Sequence, residues 1–364
     1  MEVRPHLSQH ETAKRLPLIT ESAVVTEVEA MDRSRNDAVV RAIRRTLDRS
    51  DGVAWRRIRP ESDGACRRWI RERLERVGPG DRHAPLNRYL APGDATGRRA
   101  SRLVALQERF IRPYPSLIRV TVETDEPVEF VAGQYVSVRY RGTTRPYSVA
   151  SSPTRDDLEF CIRRVPGGEL TSDLAETLSE GDVVTLRGPY GDFVMEPPSK
   201  RDLVFLATGT GVAPFRSMID YCFETGRNVH RGDPRDVWLF LGCAWEDDLP
   251  YRERFRALAA EHDRFHFVPT LSREEYLTDW DGETAYVQHA LVKYVDPDAL
   301  ADVDLPRAFE RYRGEPPAVR TDARIDPGSA EVYACGINAM VYALVAAVER
   351  LGVPERHTQF EGFG

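Results

Sequence analysis

Three stretches with different spacings of apolar residues divide the 364-residue chain. Up to about residue 101 the pattern is mixed. Ala23–Ala30, with Val24, Val25 and Val28, reads as a strand, whereas Asn36–Leu47 sets Val39, Val40, Ile43 and Leu47 at helical spacing. Val53–Ile58 reads as another short strand and Ala65–Val77 as an amphipathic helix, with breaks at Gly78-Pro79-Gly80 and Ala91–Gly97. A small α/β module and a helical arm both satisfy this pattern, so residues 1–101 are read as an N-terminal extension of unknown fold.

From about Arg102 the reading changes to strands. Leu103–Leu106, Leu117–Glu123, Tyr135–Tyr140, Leu158–Val165 and Asp182–Leu186 are punctuated by Pro113, Pro115, Gly133 and Gly142. One short helix, Thr171–Leu178, follows the Gly167-Gly168 turn. This predicts a compact antiparallel barrel over 102–198, ending near Pro197-Pro198.

After Lys200 continuous apolar strands alternate with helices: Leu203–Ala207 then Phe215–Phe223, Val237–Leu241 then Tyr251–His262. Phe265–Thr270, Tyr286 with its neighbours and Glu331–Ala334 read as later strands, and Ile337–Leu351 as the last helix. The alternation predicts a doubly wound parallel sheet over 199–364. Asp296–Gly328, polar and Pro-rich, reads as an insertion without a core role. There is no internal repeat.

Composition narrows the class. With 41% hydrophobic and 30% charged residues the chain is of globular type. Its net charge of −7 is unevenly distributed: residues 1–101 hold 21 Lys+Arg against 15 Asp+Glu, and the remainder 30 against 43. A basic leading segment suits either an acidic docking partner or solvated helix faces. The five cysteines, Cys66, Cys161, Cys222, Cys243 and Cys335, lack metal-site spacing, so no zinc or iron–sulfur site is expected. Scattered cysteines, no signal-like start and a longest apolar run of only Ala339–Val348 lead to the expectation of a cytoplasmic protein with no membrane span. No nucleic-acid partner is expected.

Three constellations carry the candidate chemistry. In Thr144–Pro153, T-R-P-Y-S-V-A-S-S-P, Arg145 and Tyr147 point to one face of an extended chain and Ser148 to the other, and Pro146 suits an edge strand. A cation, an aromatic ring and a hydroxyl there suit a ligand with phosphate and an aromatic plane; a solvated edge strand is the plain alternative. The turn after Leu203–Ala207, with Thr208, Gly209, Thr210 and Gly211 before Pro214, exposes helix amides to an anion, as a tight turn also would. Ser272 beside Arg273 forms a small phosphate clamp or surface filler, and Tyr286 offers a flat face. Cys335-Gly336 closes a strand, and the chain ends F-E-G-F-G.

Taken in order, R-P-Y-S, G-G-E-L-T-S-D-L, G-P-Y-G-D-F, G-T-G-V-A-P-F-R, S-R-E, A-Y-V-Q, A-C-G-I-N-A-M and a terminal E-x-F resemble the ferredoxin–NADP⁺ reductase superfamily over roughly residues 102–364. The resemblance implies a six-stranded flavin-binding barrel followed by a Rossmann-like nicotinamide-binding domain. It implies FAD held by Arg145, Pro146, Tyr147, Ser148, Gly168 and Thr171 and covered by Phe363. NADP(H) would be held by Thr208, Gly209, Thr210, Gly211, Ser272, Arg273, Tyr286, Gln288, Cys335 and Gly336. Ser148, Cys335 and Glu361 would line the reaction centre. Thr284 stands where plant-type members carry a further basic residue, and the chain runs one residue past Phe363. The activity implied is hydride exchange between NADPH and FAD N5, with one-electron transfer to a ferredoxin or flavodoxin-like carrier. The alternatives are an NADH-dependent reductase component of a multicomponent oxygenase and a flavin-binding regulatory protein.

Overall fold

The computed structural model describes residues 9–75, 85–165 and 167–363, and the break read at Gly78-Pro79-Gly80 lies outside them. The chain divides into two compact units. One comprises residues 1–32, 115–272 and 281–364; the other comprises 33–114 and 273–280.

The described chain starts with helix α1 (Gln9–Arg15) and strand β1 (Ile19–Ala30). It then runs through helices α2 (Asn36–Ser50), α3 (Val53–Ile58), α4 (Asp63–Glu75) and α5 (Arg98–Ile111) before returning as strand β2 (Leu117–Thr124). Strands β3 (Tyr135–Tyr140), β4 (Thr143–Ser148), β5 (Leu158–Arg163) and β6 (Val183–Tyr190) follow, with helix α6 (Glu169–Thr177) between the last two. These strands form one antiparallel sheet in the order β4-β3-β6-β1-β2-β5. Its edge strands β4 and β5 pack together, so the sheet closes on itself almost completely. The core is the inward set of alternating residues, including Ala23, Val25, Val120, Val138, Phe160 and Leu186.

The barrel expected to begin at residue 102 therefore draws a central strand from the segment placed outside it. β1 pairs with β2 through Ala23–Thr124 and with β6 through Ala23–Val184. The two strands are far apart in sequence, which hides the hairpin. Asp32 fixes the point of departure: its carboxylate accepts the Ser116 and Leu117 amides at 2.9 and 3.0 Å and the Ser116 hydroxyl at 2.5 Å.

The helical unit corrects two strand readings. Val53–Ile58 is helix α3, because its single buried residue, Trp55, packs edge-on to Trp69 of α4 rather than alternating across a sheet. Leu103–Leu106 lies within α5, where Leu103, Leu106 and Phe110 are buried at helical spacing. α2 packs on both α4 and α5. The short segment 273–280 joins this unit through Glu274, fully buried, which takes both guanidinium nitrogens of Arg35 at 2.8 and 3.0 Å.

The second half of the larger unit is a parallel sheet of β7 (Asp202–Thr208), β10 (Val237–Cys243), β11 (Phe265–Leu271), β12 (Ala330–Ile337) and β13 (Thr358–Phe363), in the order β11-β10-β7-β12-β13. A two-residue hairpin, β8 (Val229–His230) and β9 (Asp233–Pro234), stands apart. Helices α7 (Val212–Glu224), α8 (Arg252–Glu261), α9 (Val287–Val292), α10 (Arg307–Glu310) and α11 (Asn338–Arg350) complete the unit. Tyr286, expected in a strand, instead caps the start of α9. The 296–328 segment, expected to have no core role, buries Leu300, Leu305, Tyr312 and Ile325 against Trp238, Phe240 and Tyr294. It is tied down by buried Glu283, which takes the Ala318 amide, the Tyr294 hydroxyl and the Lys293 ammonium at 2.8–2.9 Å. The buried residues are scattered among polar and partly exposed ones and give no periodicity to read.

Candidate functional site

The site is organised by the C-terminal ends of the parallel strands. β7 ends at Thr208 and turns through Gly209–Gly211 into α7. Gly209 has φ +54°, and a Cβ added there would meet nothing within 4 Å, so the turn presents bare backbone to open space. Gly211 does the opposite. A Cβ on it would lie 2.5 Å from the Cys335 carbonyl oxygen and 2.8 Å from the Gly336 Cα. A Cβ on Gly336 would in turn meet the Thr208 hydroxyl at 2.1 Å. The two missing side chains thus let the β7–α7 turn lie directly on the end of β12, backbone on backbone at Gly211 and backbone on the Thr208 side chain at Gly336. A glycine turn with bare backbone at a helix start beside such a crossing suits an anion. Barrel strand β5 packs against the same glycine turn, and the Gly209 amide faces the Cys243 sulfur.

β12 and β13 carry the next group. In their parallel register Cys335 is beside Glu361 and Ile337 beside Phe363, so these four side chains share one face. Cys335 is buried, and burial pushes its thiol well above the usual range, so it stands there as an uncharged thiol. Burial also raises the Glu361 carboxyl above its ordinary 4.5, and no ion pair offsets it among the described residues. Phe363 and Ile337 are 40% and 48% exposed, two apolar groups left uncovered at a strand end.

The charge of Glu361 gives a pH prediction. A carboxyl whose folded-state pKa is raised binds its proton more tightly folded than unfolded, so its contribution to stability is lost as pH rises above about 4.5. Glu361→Gln is therefore expected to be more stable than the parent at pH 7–8 and equal to it near pH 4. Thermal unfolding across that range measures the difference; a Gln variant less stable at pH 8 would contradict the assignment.

On the barrel, β4 is an edge strand, as Pro146 foretells. Arg145 is exposed, and among the described residues it donates only to the Thr144 carbonyl, at 2.8 Å. Tyr147 is half-buried with its ring 6.4 Å from Phe160, and its buried hydroxyl has no hydrogen-bond partner among the described residues. Burial pushes that phenol up to about 12. A buried hydroxyl without a partner costs about 1–3 kcal/mol, so its place in the fold asks for an external acceptor or donor. Ser148 ends the strand opposite Tyr135. Gly168 caps α6, which packs on β4. The Thr171 hydroxyl is used inside this turn, accepting the Val165 amide at 3.0 Å and donating to the Gly168 carbonyl at 3.4 Å. The α6 amides, rather than that hydroxyl, are what the turn offers to a ligand.

The remaining expected residues are dispersed. Ser272 follows β11 with its amide on the Cys243 carbonyl at 3.0 Å. Arg273 belongs to the helical unit and lies 3.5 Å from Glu108. Tyr286 is 56% exposed and Gln288 half-buried. Ser148 shares no hydrogen bond with Cys335 or Glu361 among the described residues. Sequence reasoning missed the aromatic support behind Tyr286. His289 stacks on Tyr312 with centroids 5.2 Å apart and meets Phe309 edge-on at 4.9 Å, both from the 296–328 segment. The H-A-L spacing in α9 carries no signal for partners so distant in the chain.

The barrel and sheet are joined by buried contacts. Arg216 of α7, itself buried, makes a short ion pair with buried Glu159 of β5 and stacks 4.4 Å over the Tyr251 ring. Phe193 packs between Phe215 and Tyr333 at 5.8 and 6.1 Å. No group of metal-ligating side chains occurs among the described residues, and no helix is long and apolar enough to cross a membrane.

Comparison with known proteins places the chain in a family. Residues 111–195 match the family described as oxidoreductase FAD-binding domain, and residues 205–345 match oxidoreductase NAD-binding domain. The chain is 32% identical over 241 residues to ferredoxin–NADP reductase B of Sorangium cellulosum, covering 64% of this chain and 85% of that one. It is 36% identical over 185 residues to the phenol 2-monooxygenase reductase component DmpP of a Pseudomonas species, 50% and 51% of the two chains. It thus spans about half the length of that and similar curated relatives. The crystal structure of Amycolatopsis cytochrome P450 reductase GcoB superposes with a TM-score of 0.59 at 23% identity, covering 96% of this chain and 71% of that one.

Proposed function

The chain belongs to the ferredoxin–NADP⁺ reductase superfamily of FAD- and NAD-binding oxidoreductases, and from that premise we propose that it is an NAD(P)H-dependent flavoprotein reductase that passes electrons to a carrier protein. The observation that supports this most is the β7–α7 turn, where Gly209 turns bare backbone to open space while Gly211 and Gly336 hold the turn tightly against the end of β12. The orphaned Tyr147 hydroxyl supports a flavin on the barrel face.

In this reading Arg145, Tyr147, Ser148 and the Gly168–Thr171 turn hold FAD, and Gly209–Gly211 hold the nicotinamide dinucleotide pyrophosphate. Ser272, Tyr286 and Gln288 take its adenosine end, with NADPH the preferred donor. FAD supplies the chemistry when bound, accepting a hydride and releasing electrons one at a time. The chain's own work is positioning. Cys335, uncharged, shapes the nicotinamide pocket without adding a negative charge. Glu361, whose carboxyl burial shifts upward, stands beside Cys335 at the strand end. Phe363 covers the flavin face until the nicotinamide enters. The acceptor is another protein: one relative is named a ferredoxin reductase, another the reductase component of a phenol monooxygenase.

The purified chain is expected to be yellow, with bound FAD released on denaturation. It should oxidise NADPH faster than NADH with menadione as acceptor. A colourless protein with no affinity for added FAD would overturn the proposal. Tyr147→Phe removes the partnerless hydroxyl. The variant is expected to match or exceed the parent in flavin-free stability, by up to about 1 kcal/mol, while its FAD affinity falls several-fold. Fluorescence titration with FAD and thermal melts separate the two effects.

A further inference from the structure

Residues 33–114 carry 21 Arg, no Lys and 10 Asp+Glu, and neither family match extends over them save its last few residues. The excess is not spread evenly. Arg41, Arg45 and Arg49 fall at i, i+4 and i+8 of α2, a stripe about 12 Å long. All three are exposed, and none has an ion-pair partner among the described residues. Arg102 of α5 continues the stripe. Its guanidinium donates to the Tyr276 carbonyl at 2.9 Å and lies 5.0 Å over the Tyr276 ring, with its Nε buried and unbonded. Burial, and then the nearby charges of Arg45 and Arg49, lower its pKa, with Glu275 the carboxylate that opposes them. Arg98 stands one turn away on the same helix, also exposed.

The two carboxylates that line the cleft beside the stripe are committed elsewhere. A cleft of about 300 Å³ on this face is lined by Arg41, Arg44, Arg45, Asp48, Asp63 and Leu277. Asp63 pairs with Arg44 at 2.9 Å, and Asp48 with Arg59 at 2.9 Å and the Trp55 indole at 2.8 Å. Like charges at i, i+4 destabilise a helix by about 0.2–0.5 kcal/mol per pair. Among the described residues no carboxylate pairs with Arg41, Arg45 or Arg49 to offset that repulsion.

We propose that the Arg41–Arg45–Arg49 stripe with Arg102 is the docking surface for an acidic protein, the electron carrier of the reductase; the identity of that carrier rests on the functional reading above. Charge complementarity selects this occupant. A nucleic acid fits less well, because no exposed aromatic residue lies on α2 to stack a base and the chain from residue 102 onward is net acidic.

The test uses the full chain carrying Arg41→Gln, Arg45→Gln and Arg49→Gln together, with a small acidic [2Fe–2S] ferredoxin as probe. The expected result is a KM for ferredoxin raised about tenfold or more, with its dependence on salt flattened. NADPH–menadione turnover should stay at the parent value, and the thermal midpoint should hold or rise slightly as the like-charge pairs are removed. An unchanged ferredoxin KM and salt slope would overturn the proposal, as would a parent that fails to bind ferredoxin at low salt. So would a parent that binds a 20-base-pair duplex more tightly than ferredoxin and loses that affinity in the variant. A parent inactive with menadione refutes the reductase reading alone; direct calorimetry of ferredoxin binding, parent against variant, then decides the surface independently.

Discussion

Gly211→Ala is expected to lower kcat/KM for NAD(P)H about 100-fold while the protein keeps its flavin. The added Cβ would lie 2.5 Å from the Cys335 oxygen, 2.7 Å from its carbonyl carbon and 2.8 Å from the Gly336 Cα. All three are backbone atoms of β12, the strand beside β7, so no rotamer relieves the contact. The β7–α7 turn has to move off the sheet, at a cost of about 1–3 kcal/mol in stability. A shift near 1 Å at a site that works by positioning costs on the order of 100-fold in rate. Gly336→Ala is the informative comparison. Its Cβ would meet a side-chain atom, the Thr208 hydroxyl, at 2.1 Å, with the Thr208 Cβ at a comfortable 3.4 Å. Thr208→Ala should therefore rescue Gly336→Ala and leave Gly211→Ala as impaired as before. Steady-state kinetics with menadione and flavin absorbance read both effects; rescue of both variants alike would show that the crossing is not backbone on backbone.

The second large effect is on stability. Glu159→Ala leaves the buried Arg216 guanidinium without its closest counter-charge, since Asp220 lies 3.7 Å from its Nε and is itself paired with Arg254 at 3.0 Å. Breaking a buried pair by removing one partner costs about 3–5 kcal/mol, roughly a 10 °C drop in midpoint for a chain of this size. Replacing both charges by apolar residues of similar volume is often neutral. The double variant Glu159→Leu, Arg216→Met is thus expected to melt above either single variant. Calorimetry on the three proteins checks the ordering, and a double variant no better than the worse single would show that the pair does more than cancel itself.

How much of this was readable beforehand depended on whether the signal was local. The glycine turn, the edge strand with Pro146 and the Cys335-Gly336 strand end are contiguous motifs, and each sits where its sequence places it. The parallel strands are apolar runs because both faces are covered, which makes them hard to miss. β1 was visible as a strand, but its place in the barrel was not, since its partner β2 lies beyond the whole helical unit. Leu103–Leu106 misread as a strand because four apolar-rich residues fit either period, and only Phe110 a turn later resolves it. The aromatic residues behind Tyr286 come from a segment whose apolar members are too sparse to register. Those pairings are set by tertiary packing, which no window of neighbouring residues contains.

Asp32 has one more consequence. With the Ser116 and Leu117 amides on the same carboxylate, the ends of the long excursion between β1 and β2 are held side by side by barrel residues alone. The entropy of closing such a loop grows only with the logarithm of its length, by about 0.6 kcal/mol per doubling. The hairpin therefore tolerates a guest of almost any size at this junction. Residues can be added to or removed from the excursion at this junction without altering the pairing of the barrel strands on either side of it.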